Sequence, residues 1–142
     1  MKMSETECRA FLAAVRPAIL SLNEKGRGPL SSPVWYDQND DGSLWFVTQS
    51  HSRKGKLMAV GTRITLTVQR HKAPYAYVSV EGPITEIRPY TLEDDLLPMA
   101  SRYLGAEGGQ AYIDGARDGF NPETSIRLTM LPERILSTDY SS

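Results

Sequence analysis

Serine and basic side chains are concentrated in one short stretch of the chain, QSHSRKGK at residues 49–56. Either Ser50 or Ser52 can act as the N-cap of a short helix here. The cations that follow are Arg53, Lys54 and Lys56. The first turn of a helix exposes unpaired amide N–H groups and the positive end of the helix dipole, so cations there lower stability unless an anion lies beside them. The residue types and their spacing therefore predict a site for a small anion such as phosphate.

The alternative for this stretch is a basic helix end that only faces solvent. It is not the P-loop of nucleotide hydrolases, because the glycine spacing and the closing Lys-Ser/Thr pair of that motif are missing. The charge of the chain favours the anion site. Residues 42–80 contain six lysines and arginines and no acidic residue, so they carry +6, whereas the whole chain carries −1 and the remainder therefore −7. Such an uneven distribution indicates an anionic partner.

A nucleic acid is another anionic partner that a basic stretch on a small β-rich domain can bind. Two observations oppose this hypothesis. The aromatic residues that would stack on bases are separated in sequence from the basic residues, and the isoelectric point of about 6.1 is below that of most nucleic-acid-binding domains. We therefore expect a small-molecule ligand and no nucleic acid.

Metal sites are not indicated by the residues that could form them. His51 and His71 are far apart in sequence and Cys8 lies elsewhere, so no zinc-binding spacing is present. DQNDDG at residues 37–42 matches the first six positions of a calcium loop, but Thr48 occupies the twelfth position, which needs a bidentate Glu. We interpret residues 37–42 as a hairpin turn and expect no metal.

The composition is that of an ordinary globular domain, with 40% apolar and 23% charged residues. A single cysteine, Cys8, cannot form an internal disulfide, which favours a reducing compartment. Charged residues near the start of the chain interrupt any signal-peptide core, and the apolar runs are too short to span a membrane. We expect a cytoplasmic protein without a membrane partner, folded as one domain over residues 1–142.

Alternating apolar residues predict strands in six places. The predicted strands cover residues 18–23, 30–37, 44–49, 63–70, 76–87 and 125–131. Turn residues separate the first three, so residues 18–49 are expected to form a three-stranded antiparallel meander. Pro33 predicts an edge, a bulge or a barrel corner, and Gly82 with Pro83 predicts a break or a bend in the fifth strand.

Three helical segments are predicted between these strands. Ser4 and Glu7 form a capping-box pattern before a short helix that ends at Pro17. A second helix follows Ser50 or Ser52, and a third covers residues 91–116 with a kink or break at Pro98. The residues expected to face inward from the first two are Cys8, Phe11, Leu12, Val15, Leu57, Met58 and Val60, with Gly61 closing the second helix. These elements predict a mainly β (α+β) fold of antiparallel strands with a few short flanking helices. Among such folds, a small barrel fits this pattern better than a sandwich.

Four segments of the chain, in their sequence and their order, resemble those of the split-barrel flavin-binding superfamily. This superfamily includes pyridoxamine 5'-phosphate oxidase and the flavin/deazaflavin oxidoreductases. The segments are LSSPVWY, LWFVTQSHSRKGK, GTRITLTV and VSVEGPITEI. The resemblance covers residues 17–87, and the strand at residues 125–131 stands where the family has its closing strand. It implies a six-stranded antiparallel split β-barrel.

The resemblance also implies roles for individual residues. The terminal phosphate of the cofactor would be held by Ser52, Arg53, Lys54 and Lys56. The strand backbone at Val47 and Thr48 would contact the isoalloxazine and ribityl parts. Ser32, Val34 and Trp35 on the preceding strand would border the ring. No catalytic residue is implied.

The cofactor implied by the resemblance is coenzyme F-420 or FMN, since both carry a phosphate after a ribityl chain. The family implies a homodimer with the cofactor in a groove between two barrels, and an oxidoreductase that transfers hydride to a small organic substrate. Oxidation of vitamin B6 is not expected, because TMLPERILSTDYSS at the end of the chain lacks the tail that grips pyridoxal substrates. The alternative is a protein that binds or sequesters flavin without turnover.

Overall fold

The fold, in a computed structural model that describes residues 1–141, consists mainly of antiparallel β-strands. The strands are Ala18–Leu22 (β1), Leu30–Val34 (β2), Asp37–Gln38 (β3), Leu44–Gln49 (β4), Arg63–Arg70 (β5), Ala76–Pro89 (β6), Ser125–Met130 (β7) and Arg134–Asp139 (β8). The helices are Glu5–Ala13 (α1), Arg53–Lys56 (α2) and Leu97–Ala116 (α3), the last preceded by a π-helical turn at Leu92–Leu96. None of the helices described in residues 1–141 has the length and apolar character needed to cross a membrane.

Strand β6 belongs to both halves of the sheet. Its first part pairs with β5 and β8, and its last part pairs with β7. The strand order is β2-β1-β5-β6-β7-β4-β3, with β8 paired to β6 beside this path. The two halves share one interior, where the buried faces of β1, β5 and β6 meet α1. The predicted mainly β antiparallel split barrel is confirmed, with eight strands in place of six.

The predicted meander over residues 18–49 is wrong. β1 pairs with β2, but β4 pairs with β3 and β7, so β2 and β4 lie in different halves. The predicted second strand is interrupted after Val34, and the chain resumes pairing only at Asp37. Alternation identifies a strand and its buried face, but it does not specify the partner. Pro33 does lie on an edge strand, since β2 is the first strand in the order.

The irregularity of β6 lies slightly beyond the predicted bend. The strand runs through Gly82 and Pro83, and its register with β7 shifts between Ile84 and Glu86. Gly82 has a different role, because a Cβ atom there would lie 2.9 Å from the carbonyl carbon of Leu131. The glycine therefore permits the close approach of the β7–β8 connection to β6.

Helix α1 begins with the predicted capping box, in which Glu7 N donates to Ser4 Oγ at 3.1 Å and Ser4 N donates to Glu7 Oε1 at 2.9 Å. The helix buries Cys8 and two neighbouring apolar residues in the barrel. Val15 was expected on the same face but is exposed, because the helix already ends at Ala13.

The third predicted helix is broken at a glycine and not at Pro98. Pro98 lies in the first turn of α3, directly after the π-helical turn Leu92–Leu96, and the helix continues past it. Gly105 has φ 81° and ψ 168°, values that interrupt the helix. A Cβ atom on Gly109 would lie 2.7 Å from the backbone nitrogen of Ser101. The segment after Gly105 therefore folds back onto the segment before it.

Arg102 on α3 fixes this helical segment to the barrel. Its guanidinium donates to four backbone carbonyl oxygens at 3.0–3.3 Å, those of Leu12, Ala13, Ala14 and Tyr36. The neighbouring Tyr103 hydroxyl donates to Arg16 O at 2.8 Å. Helix α3 is thereby joined to the segment after α1 and to the end of β2.

Replacing Arg102 by Ala should lower the free energy of unfolding by about 2–3 kcal/mol, because several carbonyl groups lose a charged donor. Urea denaturation followed by circular dichroism measures this change. Arg117→Ala is the control, since Arg117 pairs with Glu93 at the exposed end of the helix and should change stability very little. Equal effects of the two substitutions would contradict the anchoring role.

Candidate functional site

The basic stretch forms a tight turn, and of the two serines predicted as its cap, Ser52 is the N-cap. The Ser52 hydroxyl donates to Gln49 O at 2.7 Å and accepts from Gly55 N at 3.0 Å. A Cβ atom on Gly55 would lie 3.0 Å from both Ser50 O and Ser52 Oγ. The turn can therefore close this tightly only around a glycine.

Helix α2 is shorter than predicted. It covers only Arg53–Lys56, and Gly61 does not close it. Met58 is buried as expected, but Val60 is exposed. A single turn adds little helix dipole, so the electrostatics of this region depend on the side chains.

The three cations of the turn have different surroundings. Arg53 is exposed and forms a bidentate ion pair with Glu24, with Arg53 Nε 3.3 Å from Glu24 Oε2. Lys56 is exposed to solvent. Lys54 extends toward β2, where its Nζ donates to Ser32 Oγ at 3.3 Å. Only Lys54 is thus directed along the sheet, and the acidic partner of Arg53 comes from the distant β1–β2 connection.

Lys54 lines a pocket of about 500 Å³ between the two halves of the barrel, which we call the main pocket. Its lining residues are Pro17, Pro33, Val34, Trp35, Val47, Lys54, Leu96, Met99 and Tyr112. Within this described lining, Lys54 alone carries a charge, and the other walls are apolar or aromatic. The pocket therefore offers one cation at the side of a largely apolar space.

Partial burial lowers the pKa of Lys54 below its ordinary value. Among the described residues no carboxylate lies within ion-pairing distance of its ammonium group, whose contact is the neutral Ser32 hydroxyl. A partly desolvated cation without a counter-ion gains interaction energy when an anion arrives. This residue is therefore the strongest candidate for holding a phosphate in the pocket.

Trp35 and Tyr112 form the aromatic part of the pocket wall. Trp35 stacks on Tyr103 with ring centroids 5.0 Å apart and an interplanar angle of 8°. Tyr112 meets the same indole at 5.3 Å with a tilt of 49°. Since Tyr103 is anchored to Arg16 O, the indole is held in one orientation beside the pocket.

The structure brings together five of the nine residues that the resemblance implies. Val34, Trp35, Val47 and Lys54 line the main pocket, and Ser32 contacts Lys54. The other four do not line it: Thr48 lies opposite Ile126 on β7, Ser52 caps the turn, Arg53 pairs with Glu24, and Lys56 faces solvent. Their contribution to ligand binding stays a prediction.

Five of the nine residues that line the main pocket were not predicted from the sequence. Pro17, Pro33, Leu96, Met99 and Tyr112 line the pocket, and three of these come from the helical region after β6. The spacing of Leu96, Met99 and Tyr103 was a detectable signal, because residues three and four apart share one face of a helix. That spacing identifies a buried face but not the surface it covers.

A buried ion cluster fixes the turn that carries Leu96. Asp95 is 2% exposed, and its carboxylate accepts from Arg88 Nη2 at 3.0 Å, Arg127 Nη1 at 3.1 Å and Thr91 N at 2.9 Å. Burial alone would raise the pKa of Asp95, but the hydrogen bonds from these groups lower it overall. Asp95 therefore stays ionised and holds the π-helical turn against β6 and β7.

Two curled half-sheets that share β6, with a cation-bearing apolar pocket between them, define a split-barrel protein. The family model described as pyridoxamine 5'-phosphate oxidase matches residues 4–130. The chain belongs to this family. The comparison with curated proteins found no match.

Solved structures with the same fold superpose on nearly the whole length of this chain. The conserved hypothetical protein Rv2991 from Mycobacterium tuberculosis superposes with a TM-score of 0.74 at 22% identity, covering 97% of this chain and 86% of that one. An F420 reductase gives 0.68 at 16% identity, covering 90% and 94% of the two chains. An FAD-binding protein from Mesorhizobium loti gives 0.65 at 19% identity, covering 96% and 93%.

Gly55→Ala should destabilise the protein by about 1–3 kcal/mol, because a methyl group would overlap the oxygen atoms of the closed turn. Chemical denaturation measures this change. Gly28→Ala is a matched control, since a Cβ atom at Gly28 would meet nothing within 4 Å. A destabilisation by Gly28→Ala as large as that by Gly55→Ala would contradict the explanation.

Lys54→Met should raise the stability of the ligand-free protein. The lowered pKa means that the folded state favours neutral Lys54, so wild-type stability should increase relative to Lys54→Met as the pH rises toward the pKa of an ordinary lysine. Thermal unfolding of both proteins from neutral to alkaline pH checks this. If Lys54→Met were less stable than the wild-type protein at neutral pH, the desolvation cost of the ammonium group would have to be offset by its contacts in the folded protein, contrary to this prediction.

Proposed function

We propose that this chain is an oxidoreductase, folded as one domain over residues 1–142, that binds a flavin-type cofactor in the main pocket. Coenzyme F-420 and FMN are the candidates implied by the sequence resemblance. The observation that carries the proposal is the partly buried Lys54, without an acidic partner among the described residues, beside an apolar pocket with an aromatic wall. The reaction would be hydride transfer to a small organic substrate.

The residues of the pocket suit the parts of such a cofactor. Lys54 would hold the phosphate, and Ser32 would keep the ammonium group in place. Trp35, Val34 and Val47 would border the ring. Family membership and the names of two relatives, an F420 reductase and an FAD-binding protein, support a flavin-type ligand.

The chemistry would be divided between the cofactor and the chain. A bound flavin or deazaflavin ring supplies the redox centre. The apolar walls contributed by Leu96 and Met99 would exclude water from the ring. Tyr112 lines the pocket and carries a hydroxyl group, so it or a water molecule would supply the proton that accompanies hydride transfer.

We further propose a cytoplasmic homodimer with the cofactor near the subunit boundary. The outer face of the half-sheet formed by β2, β1, β5, β6 and β8 carries exposed apolar residues, among them Ile19 and Leu136. Exposed apolar side chains on a sheet face favour packing against a second surface. Light scattering at low micromolar concentration tests the dimer.

The alternative function is binding or sequestration of the cofactor without turnover. Lys54 and Tyr112 are the titratable groups in the described lining of the pocket, which is a small set for acid–base chemistry. Steady-state assays with reduced cofactor and candidate acceptors separate the two functions. Persistence of the reduced cofactor with every acceptor would favour sequestration.

Lys54→Ala should weaken FMN or F-420 binding by more than about tenfold, because a charge-assisted contact to phosphate is worth about 1.5–3 kcal/mol. Quenching of tryptophan fluorescence measures the affinity. Riboflavin lacks the phosphate, so its affinity should change much less. Arg53→Ala should have a smaller effect than Lys54→Ala, because Glu24 already pairs with Arg53.

Lys2→Ala is the control for loss of a positive charge, since Lys2 lines a different cavity beside α1. It should leave FMN affinity unchanged. Equal losses from Lys2→Ala and Lys54→Ala would indicate only a long-range effect of net charge. The absence of any flavin or deazaflavin binding by the wild-type protein would overturn the proposed function.

A further inference from the structure

The ion pair between Arg53 and Glu24 joins the cation-bearing turn to the connection between β1 and β2. Arg53 Nε lies 3.3 Å from Glu24 Oε2, and Arg53 Nη2 donates to Glu24 Oε1, so the guanidinium presents two donors to one carboxylate. Arg27 lies 4.0 Å from the same carboxylate, but its side chain is 66% exposed. The principal partner of Glu24 is therefore Arg53.

Glu24 is held in place by a tight turn. Arg27 N donates to Glu24 O at 3.1 Å, and Gly26 has φ 76°, so residues 24–27 form a β-turn with glycine at the position that needs a positive φ. The Glu24 side chain is 19% exposed, whereas that of Arg53 is 53% exposed. The carboxylate is thus the more enclosed member of the pair, at a position that the backbone of the connection fixes.

The hairpin of β1 and β2 supplies the partners of both adjacent cations. Ser32 on β2 accepts from Lys54 Nζ at 3.3 Å, and Glu24 follows the end of β1 by two residues. Lys54 therefore receives a neutral hydroxyl, and Arg53 receives a carboxylate. The same hairpin leaves the charge of Lys54 uncompensated and cancels the charge of Arg53.

Arg53 does not line the main pocket, although it is the neighbour of Lys54 in the chain. Successive side chains on a helical turn diverge by about 100°. The arginine side chain is long enough to turn toward an anion beside Lys54, but it must first leave Glu24. The hydrogen bond from Arg53 lowers the pKa of the Glu24 carboxyl, which is therefore ionised at neutral pH. An arriving anion competes with this carboxylate for the guanidinium.

A phosphate bound beside Lys54 therefore meets a single uncompensated cation among the described residues that line the pocket. One negative charge on the phosphate is balanced there. A terminal phosphate ester has a second pKa of about 6, so it carries nearly two charges above neutral pH. The second charge would stay unbalanced in a partly desolvated place, which weakens binding. Repulsion by the Glu24 carboxylate also grows with the charge of the ligand.

We propose that Glu24 is a specificity-determining residue that holds Arg53 away from the ligand, so that the main pocket favours a phosphate with one negative charge over a phosphate with two. This inference rests on the proposed flavin-type site and defines its selectivity for charge. Neutralising Glu24 releases Arg53, which then supplies the second cation that a doubly charged phosphate needs.

The test measures the affinities of three flavins at pH 8 by quenching of tryptophan fluorescence. FMN carries about two negative charges at this pH, its phosphate methyl ester carries one, and riboflavin carries none. Glu24→Gln should tighten FMN binding at least about fivefold and methyl ester binding less than about twofold, because the contact from the released Arg53 is strongest with the doubly charged phosphate. Riboflavin affinity should stay constant, since the walls of the pocket are unchanged.

The Arg53→Ala protein separates the proposed role from direct repulsion by Glu24. In this background the added change Glu24→Gln should alter FMN affinity less than about twofold, because no guanidinium is left to release at position 53. A gain that persists without Arg53 would assign the effect to Arg27 or to the field of the carboxylate, and would overturn the inference.

Glu133→Gln is the matched control. Glu133 pairs with Arg63 at 2.7 Å in an exposed ion pair, and neither residue lines the main pocket. This substitution also removes one negative charge from an arginine, so FMN affinity should not change. A gain as large as that of Glu24→Gln would reflect net charge alone and would contradict a specific role of Glu24.

The results distinguish this inference from the proposed function. Equal gains for FMN and its methyl ester, no gain for either, or a parallel change in riboflavin affinity overturns the inference while the flavin site stands. Failure of Glu24→Gln to bind FMN has the same meaning if the wild-type protein binds coenzyme F-420. If the wild-type protein binds neither F-420 nor any of the three flavins, both the proposed function and this inference are overturned.

Discussion

The continuity of β6 through both halves of the barrel is the constraint on which the site depends. The main pocket is bounded by Val34 at the end of β2 on one side and by Val47 on β4 on the other, and these two strands do not pair. Their separation is set by β6, which pairs with β5 and β8 along one part and with β7 along the other. Gly82 permits the close approach of the β7–β8 connection at this junction. A sheet with separate middle strands would not hold the two walls at a fixed distance.

The main pocket of the ligand-free protein places a cation, Lys54, among apolar walls. Lys54 is partly withdrawn from water without a nearby carboxylate among the described residues, which costs stability. The neighbouring Arg53 avoids this cost by pairing with Glu24. The two adjacent cations of this turn thus have different roles. Arg53 forms a surface ion pair, whereas Lys54 stays available for an anion. Local instability of this kind is common where a protein binds a charged group.

Individual strands and the serine cap could be predicted from the sequence more accurately than the partners of those strands. The alternating residues of β5 and a serine cap at Ser50 or Ser52 are local patterns; the strand was confirmed, and the cap is Ser52. The meander failed and β8 was missed, because strand pairing is decided by contacts between distant residues. The pairing of Arg53 with Glu24 joins positions 29 residues apart. The wall from α3 was missed for the same reason, since an apolar helical face does not indicate which sheet it will cover.

The reversal of the chain at Gly105 has a consequence for how the binding site can diversify. Leu96, Met99 and Tyr112 come from the helical region, which is attached to the barrel through side-chain contacts of Asp95, Arg102 and Tyr103 and takes no part in strand pairing. Insertions, deletions or substitutions between Gly105 and the start of β7 can therefore alter the depth and polarity of the main pocket while the hydrogen-bonded sheet remains intact. Proteins that share this barrel can therefore differ in ligand through changes confined to the two helical segments that meet at Gly105.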